Sequence, residues 1–353
     1  MEVQETGKKQ YHLERLKPYL LSIFTSFCQA GFNIITKVCL ENGMSRFVLA
    51  AYGFAIAAVI TSLLTLLFQR NKVRKLTVPI CLNISLLGLL GVSGKIMLFT
   101  ALGYTSAAFA AALMNLAPPM TFLLATVCRM EKLDIAKLSG QAKIGGTALA
   151  FGGATLMTLY KGITVFSIHS PHDHQNAASK AFSDKNLMKG SLLLVAQSFI
   201  SAVYFILQTK TIKGYPAPLA LTALTRLAAT LVATVIAVII DHEASAWRLS
   251  WDITLLAPLY NGIMILGLTV YVQTVVIQCK GPVFMIALRP LTVIIVAPMG
   301  LLILGEALQL GGIIGAILIV IGSYAILWGK KVEEKRSMEP PICEQDVEIK
   351  SEK

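Results

Sequence analysis

Lys95, Arg226 and Arg289 are cations set inside long apolar runs. A charge carried into hydrocarbon costs from about 2.5 to over 10 kcal/mol on different scales, so it needs a partner or a wetted cavity. A guanidinium meets a carboxylate through two parallel hydrogen bonds, and an ammonium meets it as a point charge. These residue types therefore point to capture of an anionic group rather than to bond breaking. No Asp or Glu shares their depth; Glu131 and Glu306 fall at run ends or in loops, and the other carboxylates in loops or tails. Either the cations bond to the chain's own carbonyls and amides, or a solute brings the negative charge. Counted at about 1.5 Å per residue, Arg226 and Arg289 lie roughly 12–14 Å from the cytoplasmic ends of their helices, near the midplane. Lys95 is nearer the outer end of its run, where snorkelling to the interface is an equal alternative to a site role.

Uncharged polar residues add to this set. Ser22, Ser26, Gln29 and Asn33 share one face of the first run, and Thr222, Arg226, Thr230 and Thr234 form a ridge at steps of four. Threonines often bond their own helix carbonyl four residues back, which would make that ridge packing only. Asn115 lies at mid-depth just before Pro118 and Pro119, and Pro290 follows Arg289. A mid-span proline frees a backbone carbonyl that either lines a cavity or marks a tolerated kink. Tyr271 and Gln273 are further candidate solute contacts. The candidate binding set is thus Arg226, Arg289, Asn115, Gln29, Gln273, Tyr271 and Lys95, with Pro118, Pro119 and Pro290 as cavity-forming breaks. His169, His172, Asp173 and His174 cluster in a long loop, but loose spacing without cysteine reads as a solvated loop. No metal, no cofactor and no catalytic constellation is expected, since neither a nucleophile with its base nor a phosphate or dinucleotide fingerprint occurs.

The elements that position these residues must be membrane helices. The chain is 55% hydrophobic and 14% charged over 353 residues, against about 45–50% and about 25% for a soluble domain. Its net charge of +12 sits in short clusters between apolar runs, with no basic stripe interleaved with aromatics, which argues against nucleic acid. The six cysteines show no C-x-x-C spacing and read as buried, inert thiols. Runs long enough to cross hydrocarbon fall at 18–37, 46–68, 78–101, 105–127, 139–160, 190–210, 217–240, 254–277, 281–304 and 308–328, with a tight turn at Gly103-Tyr104-Thr105-Ser106. The first of these lacks a cleavage site and is expected to remain as an anchor. Lys and Arg concentrate in alternate connections, such as Arg70, Lys72, Arg74 and Lys75, which places both termini in the cytoplasm. The fold class is all-α, with ten transmembrane helices. Residues 1–17 form a cytoplasmic N-terminus, 18–160 one five-helix unit, 161–189 an extracytoplasmic loop, 190–328 a second unit, and 329–353 a disordered cytoplasmic tail.

The two units resemble each other. Gly145 and Gly152 are spaced like Gly315 and Gly322, and Tyr160-Lys161-Gly162 matches Trp328-Gly329-Lys330. Ser26-Phe27 matches Ser198-Phe199, which aligns Thr25, Gln29, Phe32 and Thr36 with Gln197, Ser201, Tyr204 and Gln208 along one helix face. Five spans per unit invert the second relative to the first, and inverted repeats place a substrate site at their midplane interface. Gly88, Gly91 and Gly94, and Gly311, Gly312 and Gly315, would allow close helix packing.

Several ordered motifs carry a family resemblance over nearly all of residues 18–330. They are Gly103-Tyr104-Thr105-Ser106-Ala107, Phe109-Ala110-Ala111-Ala112-Leu113, Arg129-Met130-Glu131-Lys132 and Gly140-Gln141-Ala142-Lys143. They continue with Leu156-Met157-Thr158-Leu159-Tyr160-Lys161-Gly162, Lys280-Gly281-Pro282-Val283-Phe284, Leu304-Gly305-Glu306 and Leu327-Trp328-Gly329-Lys330. With these the chain resembles plant members of the drug/metabolite transporter superfamily with two EamA-type halves, and more closely the walls-are-thin-related (nodulin-21-like) proteins. The resemblance implies a carrier of amino acids, auxin or related metabolites in the plasma or vacuolar membrane. Family members often carry Arg after the Tyr of span two, where this chain has Tyr52-Gly53, and a small residue at the position of Arg226. The site charge therefore looks relocated. The expected function is alternating-access transport of a small anionic or zwitterionic solute, with the lipid bilayer as the other partner and room for a homo-oligomer. An integral membrane enzyme or a non-transporting membrane sensor are the alternatives.

Overall fold

The computed structural model describes residues 2–68, 76–127, 134, 136–160, 162–166, 177–215, 217–269, 272 and 290–338. Its helices are α1 (Glu2–Glu41), α2 (Arg46–Phe68), α3 (Val78–Leu102), α4 (Ala107–Leu113), α5 (Ala117–Val127), α6 (Leu138–Leu159), α7 (Ala177–Gly214), α8 (Pro218–Ile240), α9 (Ile253–Tyr260), α10 (Leu291–Ile303) and α11 (Leu310–Met338). Among the described residues seven helical segments are long and apolar enough to cross a membrane, with Ala107–Val127 counted as one. The 22-residue α6 and the shorter apolar helices Ile253–Thr269 and Leu291–Ile303 lie where the sequence places its fifth, eighth and ninth spans. Large apolar side chains such as Val59, Leu231 and Ile294 stand more than half exposed on the outer helix surfaces. That surface suits hydrocarbon as solvent and not water.

Three expectations need correction. The chain is not wholly helical: β1 (Thr164–Phe166) pairs antiparallel with β2 (Leu308–Gln309), with Thr164 opposite Gln309 and Phe166 opposite Leu308. Two connections that meet at one end of the bundle thereby satisfy each other's backbone groups, a pairing that local pattern does not encode. The polar end regions are also more helical than composition suggests. α1 begins at Glu2, α7 at Ala177 inside the expected loop, and α11 continues to Met338 beyond residue 329. Helix, once nucleated by an apolar span, propagates through Lys, Glu and Arg at little cost. The carboxylate of Glu333 ties this extension to the buried Lys143 of α6. Finally, the span 105–127 is not one regular helix. A 3₁₀ turn, Met114–Leu116, separates α4 from α5.

Proline explains that break. Pro118 and Pro119 stand in the first turn of α5, where a missing N–H is tolerated. Without an N–H on Pro119, the carbonyl of Asn115 has no helical donor, and the Ser323 hydroxyl of α11 supplies one at 2.8 Å. At the start of α4, Ser106 accepts from the Phe109 N–H at 3.1 Å, a side-chain cap at the expected turn. Outside the spans, Asp252 caps α9. The hydroxyl and N–H of Thr254 donate to it at 2.6 and 2.8 Å and hold its carboxyl below the usual carboxylate range.

The helices before residue 160 pack mostly against those after 190. The most extensive pairing is α6 with α11, followed by α2 with α8 and α3 with α7. A Cβ built on Gly153 would lie 2.8 Å from the Gly315 carbonyl oxygen, and one on Gly315 would lie 2.7 Å from that of Gly153. Gly146 faces Gly322, and Gly329 faces Ser139, in the same antiparallel register. The contact repeats every seven residues on both helices, the period of a left-handed crossing. Gly145 and Gly152, the positions singled out by spacing, meet nothing within 4 Å. Adjacent residues on a helix point about 100° apart, so the glycines one position on carry the interface.

Candidate functional site

A cavity of about 320 Å³ lies among α1, α3, the α4–α5 break, α7, α8 and α10. That volume is at the lower end of small-molecule sites. Thr25, Ser26, Gln29 and Asn33 line it from α1, and Gln197, Ser201 and Tyr204 from α7. Thr25, Ser26, Gln29, Gln197, Ser201 and Tyr204 among them belong to the internal match. The spacing that puts them on one face of each helix thus brings both faces to the same space. Lys95, Arg226 and Asn115 also line it.

Lys95 does not snorkel. Its ammonium stands over the Phe32 ring, 3.9 Å from the centroid, and 5.4 Å from that of Phe99. Beside it on α3, a Cβ on Gly91 or Gly94 would stand at ordinary contact distance, 3.8 and 3.6 Å, from Tyr204 and Ile200 of α7. Arg226 projects from α8, with its guanidinium carbon 5.8 Å from the Phe54 centroid. Its Nε is buried and, among the described residues, has no hydrogen-bond partner; the same holds for Oδ1 of the buried Asn33. The nearby ridge behaves as packing, since Thr230 returns its hydroxyl to the Arg226 carbonyl at 2.8 Å.

The amides divide by role. Asn115 donates from Nδ2 to the Ala111 carbonyl at 3.0 Å, which leaves its Oδ1 as an acceptor at the helix break. Gln197 donates from Nε2 to the Ser201 hydroxyl at 3.0 Å. Arg289, Tyr271 and Gln273 lie outside the described residues, as does the histidine cluster of residues 169–174. Pro290 opens the described stretch that follows residue 272. It is the N-cap of α10, where its carbonyl accepts from the Val293 N–H at 3.0 Å. Thr292, two residues on, is a lining residue that periodicity did not indicate.

Among the described residues, no carboxylate lines the cavity. The sequence holds no Asp or Glu between Asp252 and Glu306, so the stretch outside the described residues there can supply none. Glu306 works elsewhere. It forms an ion pair with Lys37 of α1, and both its oxygens accept from the Ala107 N–H at 2.9 Å. Lys37 also donates to the Thr105 carbonyl at 2.6 Å. Gly305, at φ +65°, turns the chain after α10 and delivers Glu306 to this point. The Leu304-Gly305-Glu306 motif is therefore a turn and an anionic cap on the α4 N-terminus. Elsewhere, Ser45 bonds Asp241, and the Tyr52 hydroxyl donates to the Trp247 carbonyl at 3.0 Å.

An EamA-like transporter family model matches residues 16–159 and 188–328. The WAT1-related protein At5g07050 of Arabidopsis thaliana is 42% identical over 98% of this chain and 87% of its own length. A second Arabidopsis thaliana relative, WAT1-related protein At1g21890, is 37% identical over 96% of this chain and 90% of its own. A solved crystal structure superposes with a TM-score of 0.56 at 18% identity, covering 90% of this chain and 98% of the other, a likeness of fold alone.

Proposed function

Because the chain belongs to the EamA-like transporter family and, within it, to the WAT1-related proteins, we propose that this multi-pass membrane transporter moves a small anionic or zwitterionic organic solute by alternating access. The amino acids, auxin-like acids and related metabolites implied by its motifs are the first solutes to test. The observation that carries this reading is the central cavity. It is lined from helices on both sides of the chain's midpoint and holds Lys95 and Arg226 with no carboxylate among its lining residues.

In this reading ten spans form two inverted five-helix units, both termini face the cytoplasm, and the plasma or vacuolar membrane holds the protein. The glycine-seamed α6–α11 pair is a static frame. The moving parts are the helices around the cavity. The ties of Lys37 to Glu306, Ser45 to Asp241, Tyr52 to Trp247 and β1 to β2 all lie at the extracytoplasmic end in this orientation. They support a conformer closed on that side, and alternation requires Lys37 and Glu306 to part. With no carboxylate at cavity depth, an Asp/Glu proton relay is disfavoured. Facilitated transport or exchange follows.

Flux of a solute panel into liposomes holding the purified protein tests the reading. Uptake of at least one carboxylate-bearing solute, driven by its own gradient or by exchange, is the expected result. Uptake that strictly requires a proton gradient would overturn the coupling. A correctly inserted protein that moves no solute of the panel would overturn the carrier reading in favour of a membrane enzyme or sensor.

A further inference from the structure

We infer that the central cavity selects a small aliphatic dicarboxylate, one carboxylate held by Arg226 and the other by Lys95. The inference rests on the carrier reading above and narrows its solute class to the dianionic members. Both cations line a single cavity of about 320 Å³. Each is seated on an aromatic face, Lys95 on Phe32 and Arg226 beside Phe54. A ring face positions a cation and contributes about 0.5–2 kcal/mol, but it brings no charge to neutralise it. In a medium of low polarity one carboxylate would match one cation and leave the other uncompensated. Two carboxylates on one short chain match both.

The remaining polar groups agree with this division. The unpartnered, buried Nε of Arg226 belongs to the fork that a carboxylate takes in bidentate fashion. The amide groups of Gln29, Asn33 and Asn115 line the space around it and suit hydroxyl or keto groups on the solute. Among the described lining residues an ammonium group would find amide oxygens and ring faces but no carboxylate. A zwitterion is therefore disfavoured relative to a dianion of the same length. So is a monoacid, which leaves either Lys95 or Arg226 without a counter-charge.

Three four-carbon solutes separate these cases: succinate with two carboxylates, butyrate with one, and 4-aminobutyrate with an amine in place of the second. In liposomes loaded with succinate, uptake of labelled succinate is measured against each of the three as competitor. The expected result is that succinate competes at least tenfold better than butyrate or 4-aminobutyrate. Arg226→Gln and Lys95→Gln should each lower succinate uptake at least tenfold and flatten the preference. Arg226→Lys, which keeps the charge and loses the fork, should retain the preference with weaker competition. That variant, with the wild-type competition ratios, decides the question if the neutral variants do not insert. Equal competition by all three solutes, or better competition by either comparator, overturns the dicarboxylate inference and leaves the carrier reading intact. Absence of succinate uptake while other panel solutes cross does the same. Absence of flux for every panel solute overturns both.

Discussion

The α6–α11 seam makes a contrast between neighbouring residues that local sequence pattern does not. Gly145 and Gly146 both lie inside α6, and alanine at either gains up to about 1 kcal/mol of helix propensity. At Gly145 the new methyl meets nothing within 4 Å, so Gly145→Ala should be neutral or mildly stabilising. At Gly146 the methyl would stand 2.5 Å from the Gly322 carbonyl oxygen and 2.9 Å from the Ala325 Cβ. Neither is the flexible end of a side chain. Reaching ordinary contact near 3.4 Å requires the helices to part by about 0.9 Å there. A gap of that order forfeits about a quarter to a half of each flanking contact. Overpacking of this kind costs about 1–3 kcal/mol, and the propensity gain is common to both, so the two alanine variants should differ by about 1–3 kcal/mol. Thermal melting of the purified protein in detergent reads this directly. Gly152→Ala and Gly153→Ala repeat the contrast one seven-residue step along, where the Gly153 methyl would stand 2.8 Å from the Gly315 carbonyl oxygen. If Gly145→Ala lowers the melting temperature as much as Gly146→Ala, the seam is assigned to the wrong face and the argument fails.

Glu306→Gln leaves the largely buried Lys37 with only the exposed Glu41 carboxylate, 3.9 Å away, and should cost up to about 3–5 kcal/mol. Adding Lys37→Met should recover part of that loss, and strictly additive melting shifts in a double-mutant cycle would refute the coupling. Ser323→Ala removes the donor to the Asn115 carbonyl and should destabilise by about 1–3 kcal/mol, because that oxygen stays buried; an unchanged melt would show that the carbonyl finds another donor. Replacing His169, His172 and His174 by Ala should leave solute flux unchanged, whereas loss of flux in a correctly inserted protein would place chemistry in that loop.

Some of the site was legible in the residues because helical spacing fixes which side chains share a face. Thr25, Gln29, Gln197, Ser201 and Tyr204 were brought together by an internal match and line one cavity. Arg226 and Asn115 followed from the cost of polar groups at mid-depth. Lys95 was not decided that way. Depth along a helix gives the distance to the interface, whereas direction depends on which neighbour packs where. Here Lys95 turns onto the Phe32 ring of α1. The seam glycines were displaced by one residue for a related reason, since a period of seven fits either Gly145 and Gly152 or Gly146 and Gly153.

What the sequence determined by itself was the solvent and the family. An apolar surplus and charge confined to short clusters require lipid, and both are sums over residues that need no partner. Its ordered motifs likewise carried the family resemblance. The tertiary structure decided the pairings between residues far apart in the chain: Glu306 on Lys37 and the α4 N-terminus, Ser323 on the carbonyl freed by Pro119, and β1 on β2. Each satisfies a charge or a backbone group exposed by one segment with a group from another more than 100 residues away. Local periodicity carries no record of which distant donor or acceptor will arrive.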